Sequence, residues 1–219
     1  MDRDDALTVV MPSRRTRVRA PTSQRLRPTL RRLTLGDRER FLEAVPRSRA
    51  LHHPWAYPPD TPDAFDAYVK VHPARRVLAV VVDHEAPLVG VYALSQIHHG
   101  SFRNAYLGYY AFVPHAGNGY MREAMDLLFR YAFGELRLHR LQANVQPGNE
   151  RSLGLLRATG WREEGYARRY LKIGGRWRDH ILFAILAEDL RAPGPGQRPV
   201  YDRRRPGTRP SDAAERRAG

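Results

Sequence analysis

Two glycines separated by one residue stand between a predicted strand and a predicted helix, in the run Pro114-His115-Ala116-Gly117-Asn118-Gly119-Tyr120-Met121-Arg122. A strand, a glycine loop and a helix start together make an anion site. Glycines let the backbone approach closely, the N–H groups of the first helical turn point at the ligand, and the helix dipole adds partial positive charge. The residues Gly117, Asn118, Gly119, Tyr120 and Met121 are therefore placed to cradle a pyrophosphate, with Arg122 adding a side-chain contact. A Walker loop would need Gly-Lys-Ser/Thr, and no lysine is near. The dinucleotide fingerprint would need a third glycine where this chain has Arg122. Taken alone, the segment reads equally as an ordinary strand–helix turn holding two glycines.

The remaining reactive groups narrow the chemistry further. The chain has no cysteine, which removes disulfides, thiolate nucleophiles and Cys-ligated metals together, and no metal site is expected. It has nine histidines, the side chain that titrates near neutrality, most of which belong to surface or packing positions in a chain of this size.

The elements that must carry these residues alternate between strand and helix signals. Thr29 to Leu35 reads as a short strand, ended by Gly36, with Asp37 as N-cap of a helix that Pro46 breaks after Val45. Ser48 to Pro59 reads as a loop, followed by a helix from Pro62 to about Val71. Arg76–Asp83 is a buried strand by its β-branched run, His84 to Pro87 a turn, Leu88–Ile97 and Ala105–Val113 two further strands, the three forming an antiparallel meander. Met121, Ala124, Met125, Leu128, Tyr131 and Ala132 recur at helical spacing, predicting an amphipathic helix over 119–134. Leu141 to Gln146 is a strand, Asn149 caps a helix over 150–159 with Gly160 at its C′ position, and Trp161–Ile173 and Trp177–Leu186 close a hairpin around Gly174-Gly175.

At 219 residues and 42% hydrophobic, the chain suits one domain with tails. Its net charge of +14 lies mainly at the ends, since residues 1–32 carry nine Arg against three Asp and residues 191–219 eight Arg against three acids. Arg outnumbers Lys 35 to 2, a bias of the kind codon usage produces. The expected organisation is a disordered basic extension over 1–27, a folded domain over 28–190 and a disordered Arg/Pro/Gly-rich tail over 191–219. Purely apolar runs such as Val77 to Val82 are far short of the roughly 20 residues a membrane span needs, and no secretory signal is visible. A cytoplasmic protein without membrane contact is expected.

Within this frame the segment 29–190 resembles the GCN5-related N-acetyltransferases, and among them the RimJ/RimL type that acetylates ribosomal-protein N-termini. The resemblance rests on the order and spacing of Leu51-His52-His53-Pro54-Trp55, Leu107-Gly108-Tyr109-Tyr110, Gly117-Asn118-Gly119-Tyr120-Met121-Arg122-Glu123-Ala124 and Leu138-His139-Arg140-Leu141-Gln142-Ala143, followed by Pro147-Gly148-Asn149-Glu150-Arg151-Ser152, Gly160-Trp161-Arg162-Glu163-Glu164-Gly165 and Trp177-Arg178-Asp179. It implies an α/β fold with one mixed, mostly antiparallel, splayed sheet of about seven strands and about four flanking helices. It implies acetyl-CoA as cosubstrate, its pyrophosphate on Gly117 to Met121 and Arg122. Backbone groups of the Tyr110 to Val113 segment, Phe112 and Val113 included, would meet the pantetheine and the acetyl carbonyl next to a β-bulge. Asn149 would bond the pantetheine arm and Ser152 would face the sulfur. Where the family's loop opens with Gln or Arg, this chain has Pro114, which removes one N–H donor.

Direct transfer needs no covalent enzyme intermediate, so the absence of cysteine is compatible with it. The acid for the departing thiolate is Ser152 by family position, or Tyr166 or Tyr170. Base candidates are His52, His53, His115 and Glu123, though an α-amine of pKa about 7.7–8.0 already has a sizeable neutral fraction. His52, His53, Trp55, Tyr110 and Asp179 are the acceptor-side candidates, with Trp55 alternatively a packing contact and Asp179 alternatively a hairpin ion pair. The acceptor is a protein N-terminus or a small amine such as a polyamine, an amino-acid analogue or an antibiotic. A third reading makes the chain a ribosome- or RNA-binding module acting through its basic tails. Either a monomer or a homodimer is compatible with the sequence.

Overall fold

The structure is a computed structural model that describes residues 27–70, 72–82 and 88–190. The two predicted disordered ends up to Leu26 and from Arg191, the turn at His84–Pro87 and the predicted helix end at Val71 lie outside the described residues.

Seven strands form one sheet in the order β1-β2-β3-β4-β5-β7-β6. They are β1 Pro28–Arg32, β2 Arg76–Val82, β3 Leu88–His98, β4 Asn104–Ala111, β5 Arg140–Val145, β6 Arg162–Ile173 and β7 Arg176–Leu186. Every neighbouring pair is antiparallel except β4 and β5. The helices are α1 Arg38–Arg47, α2 Arg49–His52, α3 Pro62–Val69, α4 Tyr120–Phe129 and α5 Glu150–Ala158.

The six-residue apolar run in β2 is covered on both faces, as period-2 alternation dictates for a strand inside a three-layer fold. Leu78, Val80 and Val82 join Met121, Met125 and Leu128 of α4 and Leu153 and Leu156 of α5 in one core. Val77, Ala79 and Val81 join Phe41 and Val45 of α1 and Phe65 of α3 in the other. Thr61 caps α3 by accepting the Ala64 N–H (3.3 Å), with Pro62 at its first position, and Arg38 ties α1 to α3 through a two-pronged bond to Asp66 (2.8 and 2.5 Å). Among the described residues no helix is long and apolar enough to cross a membrane.

Four expectations about the first third of the chain need correction. Strand β1 stops at Arg32 rather than Leu35, because the Asp37 carboxylate gathers the Thr34 N–H (2.9 Å) and hydroxyl (3.1 Å) and folds Leu35–Asp37 into a tight turn. That carboxylate is also gripped by Arg31 (2.8 and 2.6 Å) and makes no side-chain cap on α1. Pro46 does not end α1 but sits in its last turn, and the following Ser48 N–H still reaches Ala44 O and Val45 O, both at 3.1 Å. The segment read as a loop from Ser48 begins with the single turn α2.

The sheet opens where the site lies. Parallel pairing of β4 with β5 covers only Asn104–Tyr106 against Arg140–Gln142, so the two strands diverge beyond Tyr106. The bulge expected in the Tyr110 to Val113 segment is absent. Its ladder with β3 runs unbroken from Tyr106 to Ala111, and Phe112 N–H continues it to Val89 O (2.8 Å). The register shifts fall instead between Val80 and Val81 on β2, between Ser95 and His98 on β3, and at Glu163/Gly165 and Ala167/Leu171 on β6. Loss of pairing alone frees the edge, without an inserted residue.

Candidate active site

The glycine loop and α4 are positioned by the end of β4. Gly117 and Gly119 have φ of +87° and +82°, the left-handed conformation that glycine adopts at no steric cost. A Cβ added at Gly117 would meet nothing within 4 Å, so the backbone there borders open space. The first intrahelical bond of α4 runs from Glu123 N–H to Gly119 O (3.0 Å), which leaves the N–H groups of Met121 and Arg122 without an intrahelical acceptor. The loop also braces itself: Ala116 N–H donates to Phe112 O (2.8 Å), Asn118 N–H to His115 O (3.3 Å) and the Asn118 side chain to Pro114 O (3.5 Å).

These residues line a cavity of about 990 Å³ in the opening between β4 and β5. From α1 and α2 and the chain after them come Arg47, Leu51, His52 and Trp55; from β4, Tyr109, Tyr110 and Ala111. Val113, His115, Gly117, Gly119, Tyr120, Met121 and Arg122 follow, and Gly148, Asn149, Glu150, Arg151 and Ser152 close the far side. Asn149 caps α5, its Oδ1 accepting the Ser152 N–H (3.3 Å). The cap uses the Ser152 amide, the Ser152 hydroxyl has no hydrogen-bond partner among the described residues, and Ser152 lines the cavity.

The backbone of β4 presents two donors to this space, the N–H groups of Tyr109 and Ala111. In an antiparallel ladder alternate residues point their N–H and C=O at the neighbour. Phe112 bonds Val89, so Tyr110 shares that side and Ala111 points its N–H and C=O toward the opening. The Val113 N–H is taken by Ser48 Oγ (3.0 Å). Phe112 spends both its N–H and its C=O within the protein, and its side chain is fully buried among Phe41 and His52, so within the Tyr110 to Val113 segment the Ala111 N–H is the one turned toward the opening, and Val113 remains in the cavity lining.

Other predicted residues fall outside the cavity. Tyr166 is exposed on β6 and donates to Asp179 Oδ2 (2.5 Å), while Asp179 Oδ1 accepts the Arg169 N–H (2.7 Å). Asp179 thus holds the irregular stretch of β6 between Ala167 and Leu171, where Arg169 has φ +48°, and both its oxygens are used. The Tyr166 hydroxyl and the Arg169 amide hold its carboxyl below the usual range. Tyr170 accepts from Asn144 (3.4 Å) and packs on His180, on the sheet face opposite α4 and α5. His53 packs on Tyr57 beside a second, shallower hollow, and Glu123 is exposed on α4 away from the cavity lining. Among the described residues no group of three or more His, Asp and Glu is arranged to hold a metal.

Some cavity residues escaped the sequence reading. Tyr109 packs against the α4 and α5 core and its hydroxyl donates to Ser152 O (3.4 Å); burial pushes the phenol up to about 12, so it stays protonated. Strand alternation was the available signal, since Tyr109 and Ala111 must share a face. Trp55 packs over Gly148, whose added Cβ would lie 3.5 Å from the indole, and its carbonyl accepts from Gln146 (2.9 Å), joining the chain after α2 to the turn before α5.

Comparison with known proteins agrees with this geometry. The family model described as "Acetyltransferase (GNAT) domain" matches residues 27–162. The chain is 42% identical over 105 residues to the [ribosomal protein uS5]-alanine N-acetyltransferase of Escherichia coli; that stretch is 48% of this chain and 54% of the enzyme. It spans about half the length of the curated relatives matched at the highest identity. The fold is similar to Mycobacterium smegmatis RimJ in complex with CoA-disulfide, at TM-score 0.69 and 27% identity over 75% of this chain and 87% of that one. It is also similar to spermidine N-acetyltransferase from Vibrio cholerae in complex with CoA and spermine, at TM-score 0.64 and 25% identity over 74% and 96%.

Proposed function

This chain belongs to the GNAT acetyltransferase family, and from that premise we propose that it transfers the acetyl group of acetyl-CoA to the N-terminal α-amine of a protein, a ribosomal protein being the first candidate, in the cytoplasm. The observation that carries the reading is the single cavity that joins the left-handed glycine loop, the free hydroxyl of Ser152 and the unpaired edge of β4.

The residues fit the cosubstrate. Gly117 and Gly119 with the N–H groups of Met121 and Arg122 would hold the pyrophosphate, the α4 dipole and the Arg122 charge adding to them. The missing donor at Pro114 leaves these intact. Asn149 would meet the pantetheine arm. When bound, acetyl-CoA supplies the acetyl group: the amine nitrogen forms the new C–N bond to the carbonyl carbon, the C–S bond breaks, the nitrogen loses a proton and the thiolate sulfur gains one. The Ala111 N–H is the preorganised donor toward the carbonyl oxygen, where negative charge grows. The Ser152 hydroxyl would supply the proton to the sulfur, with the protonated Tyr109 beside it on the cavity wall. An α-amine needs little help in deprotonating at neutral pH.

Charge favours a protein N-terminus over a polyamine. Among the cavity's lining residues stand Arg47, Arg122 and Arg151 against one carboxylate, Glu150. That balance attracts CoA phosphates and repels a polycation. The test is a competition between peptides beginning with Ala, Ser, Thr or Met and spermidine, spermine and aminoglycosides, with acetyl-CoA as donor and the modified nitrogen located by mass spectrometry. Acetylation of peptide α-amines at least tenfold faster than of polyamines supports the reading; the reverse order replaces it with the small-amine one.

A further inference from the structure

The cavity explains where the chemistry sits, but not what keeps a splayed, half-paired strand end in place. Two buried residues of the α1–α2 corner bear on this. Ser48 is 1% exposed and His52 7% exposed. They are four residues apart, so both lie on one side of the helical turn that links them, where Ser48 O accepts the His52 N–H (3.1 Å). From that side both reach β4. Ser48 Oγ accepts the Val113 N–H (3.0 Å), and His52 Nε2 bonds Ala111 O (2.8 Å). A carbonyl only accepts, so His52 must carry its proton on Nε2. Its Nδ1 is then a bare lone pair, buried and without a partner among the described residues. The ring is boxed by Tyr110 (5.8 Å) and Phe112 (5.7 Å).

Building on the acetyl-transfer reading, we propose that Ser48 and His52 are positioning residues that clamp the end of β4 from both sides of Phe112, fixing the peptide planes around Ala111 so that its N–H stays aimed at the acetyl carbonyl. Past Tyr106 no strand on the β5 side holds this edge, and past Ala111 the chain turns away toward the glycine loop. The two bonds stand where sheet pairing is missing. This assigns His52 a task other than proton removal, since its Nε2–H is committed to a backbone oxygen and its lone pair, on Nδ1, is buried. Burial also pulls the His52 pKa down, only partly offset by the Ala111 bond, which keeps the ring neutral and the tautomer fixed.

The test uses the full chain and three variants. His52→Leu removes the donor, His52→Gln keeps an N–H at a similar reach, and Ser48→Ala removes the acceptor for Val113. Carbonyl-labelled acetyl-CoA bound to the wild type should show a thioester stretch shifted to lower frequency than in solution. His52→Leu should lose most of that shift and lower kcat about 10- to 100-fold, with acetyl-CoA affinity changed less than about threefold. His52→Gln should recover both to within about threefold, and the acidic limb of the wild-type pH–rate profile should persist in it. Ser48→Ala should fall between, and it covers the case in which the leucine variant does not fold. Wild-type carbonyl frequency and kcat in folded His52→Leu and Ser48→Ala would overturn the proposal. So would His52→Gln losing as much activity as His52→Leu together with the acidic limb, which would make His52 the base. Should the wild type bind no acetyl-CoA, the site reading itself fails. The clamp is then judged by amide hydrogen exchange at Ala111 and Val113, which must speed up in His52→Leu and Ser48→Ala; unchanged exchange refutes it.

Discussion

Replacing Gly117 with alanine separates backbone strain from coenzyme binding. The residue has φ +87°, and an added Cβ would touch no atom within 4 Å. The folding cost is therefore conformational only, about 1–2 kcal/mol for an L-residue in the left-handed region. For a domain of this size that lowers Tm by about 2–8 °C. The open space around the new methyl is the same space a pyrophosphate must enter to reach the loop amides. Pushing it away from even one charge-assisted N–H bond costs about 1.5–3 kcal/mol, or about 10- to 100-fold in Kd. Gly175 supplies the control. It has φ +78° in the β6–β7 turn, its Cβ would also meet nothing within 4 Å, and it lies off the cavity. Thermal denaturation and acetyl-CoA calorimetry on Gly117→Ala and Gly175→Ala should show similar losses of Tm, with loss of affinity in the first alone. Equal affinities in the two variants would refute the assignment of the loop to the pyrophosphate.

Further outcomes follow from the same geometry. Ser152→Ala should lower kcat at least about tenfold while changing acetyl-CoA Kd less than about threefold, because the Asn149 cap on α5 survives it; an unchanged kcat would remove the hydroxyl from the proton path. Asn149→Ala should cost about 1 kcal/mol of stability through the lost cap, read from chemical denaturation. Burial lowers the pKa of both His52 and His180, outweighing their bonds to backbone carbonyls. The unfolded chain then binds more protons as pH falls through about 6.5, so this stability is complete well above that value and is lost as pH falls below it toward the lowered folded-state values. A Tm that rises on acidification across that window would contradict the assignment, and replacing both histidines with Gln should flatten the slope.

Much of the architecture was legible because it depends on short-range pattern. The β2 run Val77–Val82, too apolar to leave either face wet, had to be an inner strand. Asn149 and Gly160 mark the two ends of α5, and Gly174-Gly175 marks the hairpin turn. The glycine loop was readable for the same reason, since positive φ and a helix start are both local. What escaped depends on contacts across the sequence. The turn after β1 exists because Arg31, Thr34 and Asp37 share one carboxylate, where Asp37 alone looks like a helix cap. Asp179 reads as an acceptor or ion-pair residue until Tyr166 and an irregular β6 occupy it. The bonds from Ser48 and His52 to β4 join residues 65 and 59 positions apart, and no periodicity records them. Ala111, a residue with no functional group, matters only through the side of the sheet its amide faces.

The central claim is that acetyl-CoA is met by backbone amides at the start of α4 and at the open edge of β4. An amide-resolved NMR titration of the full chain with acetyl-CoA tests it most directly. Saturable shifts are expected at Gly117, Gly119, Met121, Arg122 and Ala111, with Arg169 and Trp177 on the outer hairpin unmoved. Saturable shifts confined to other surfaces, or none at millimolar acetyl-CoA, would contradict it.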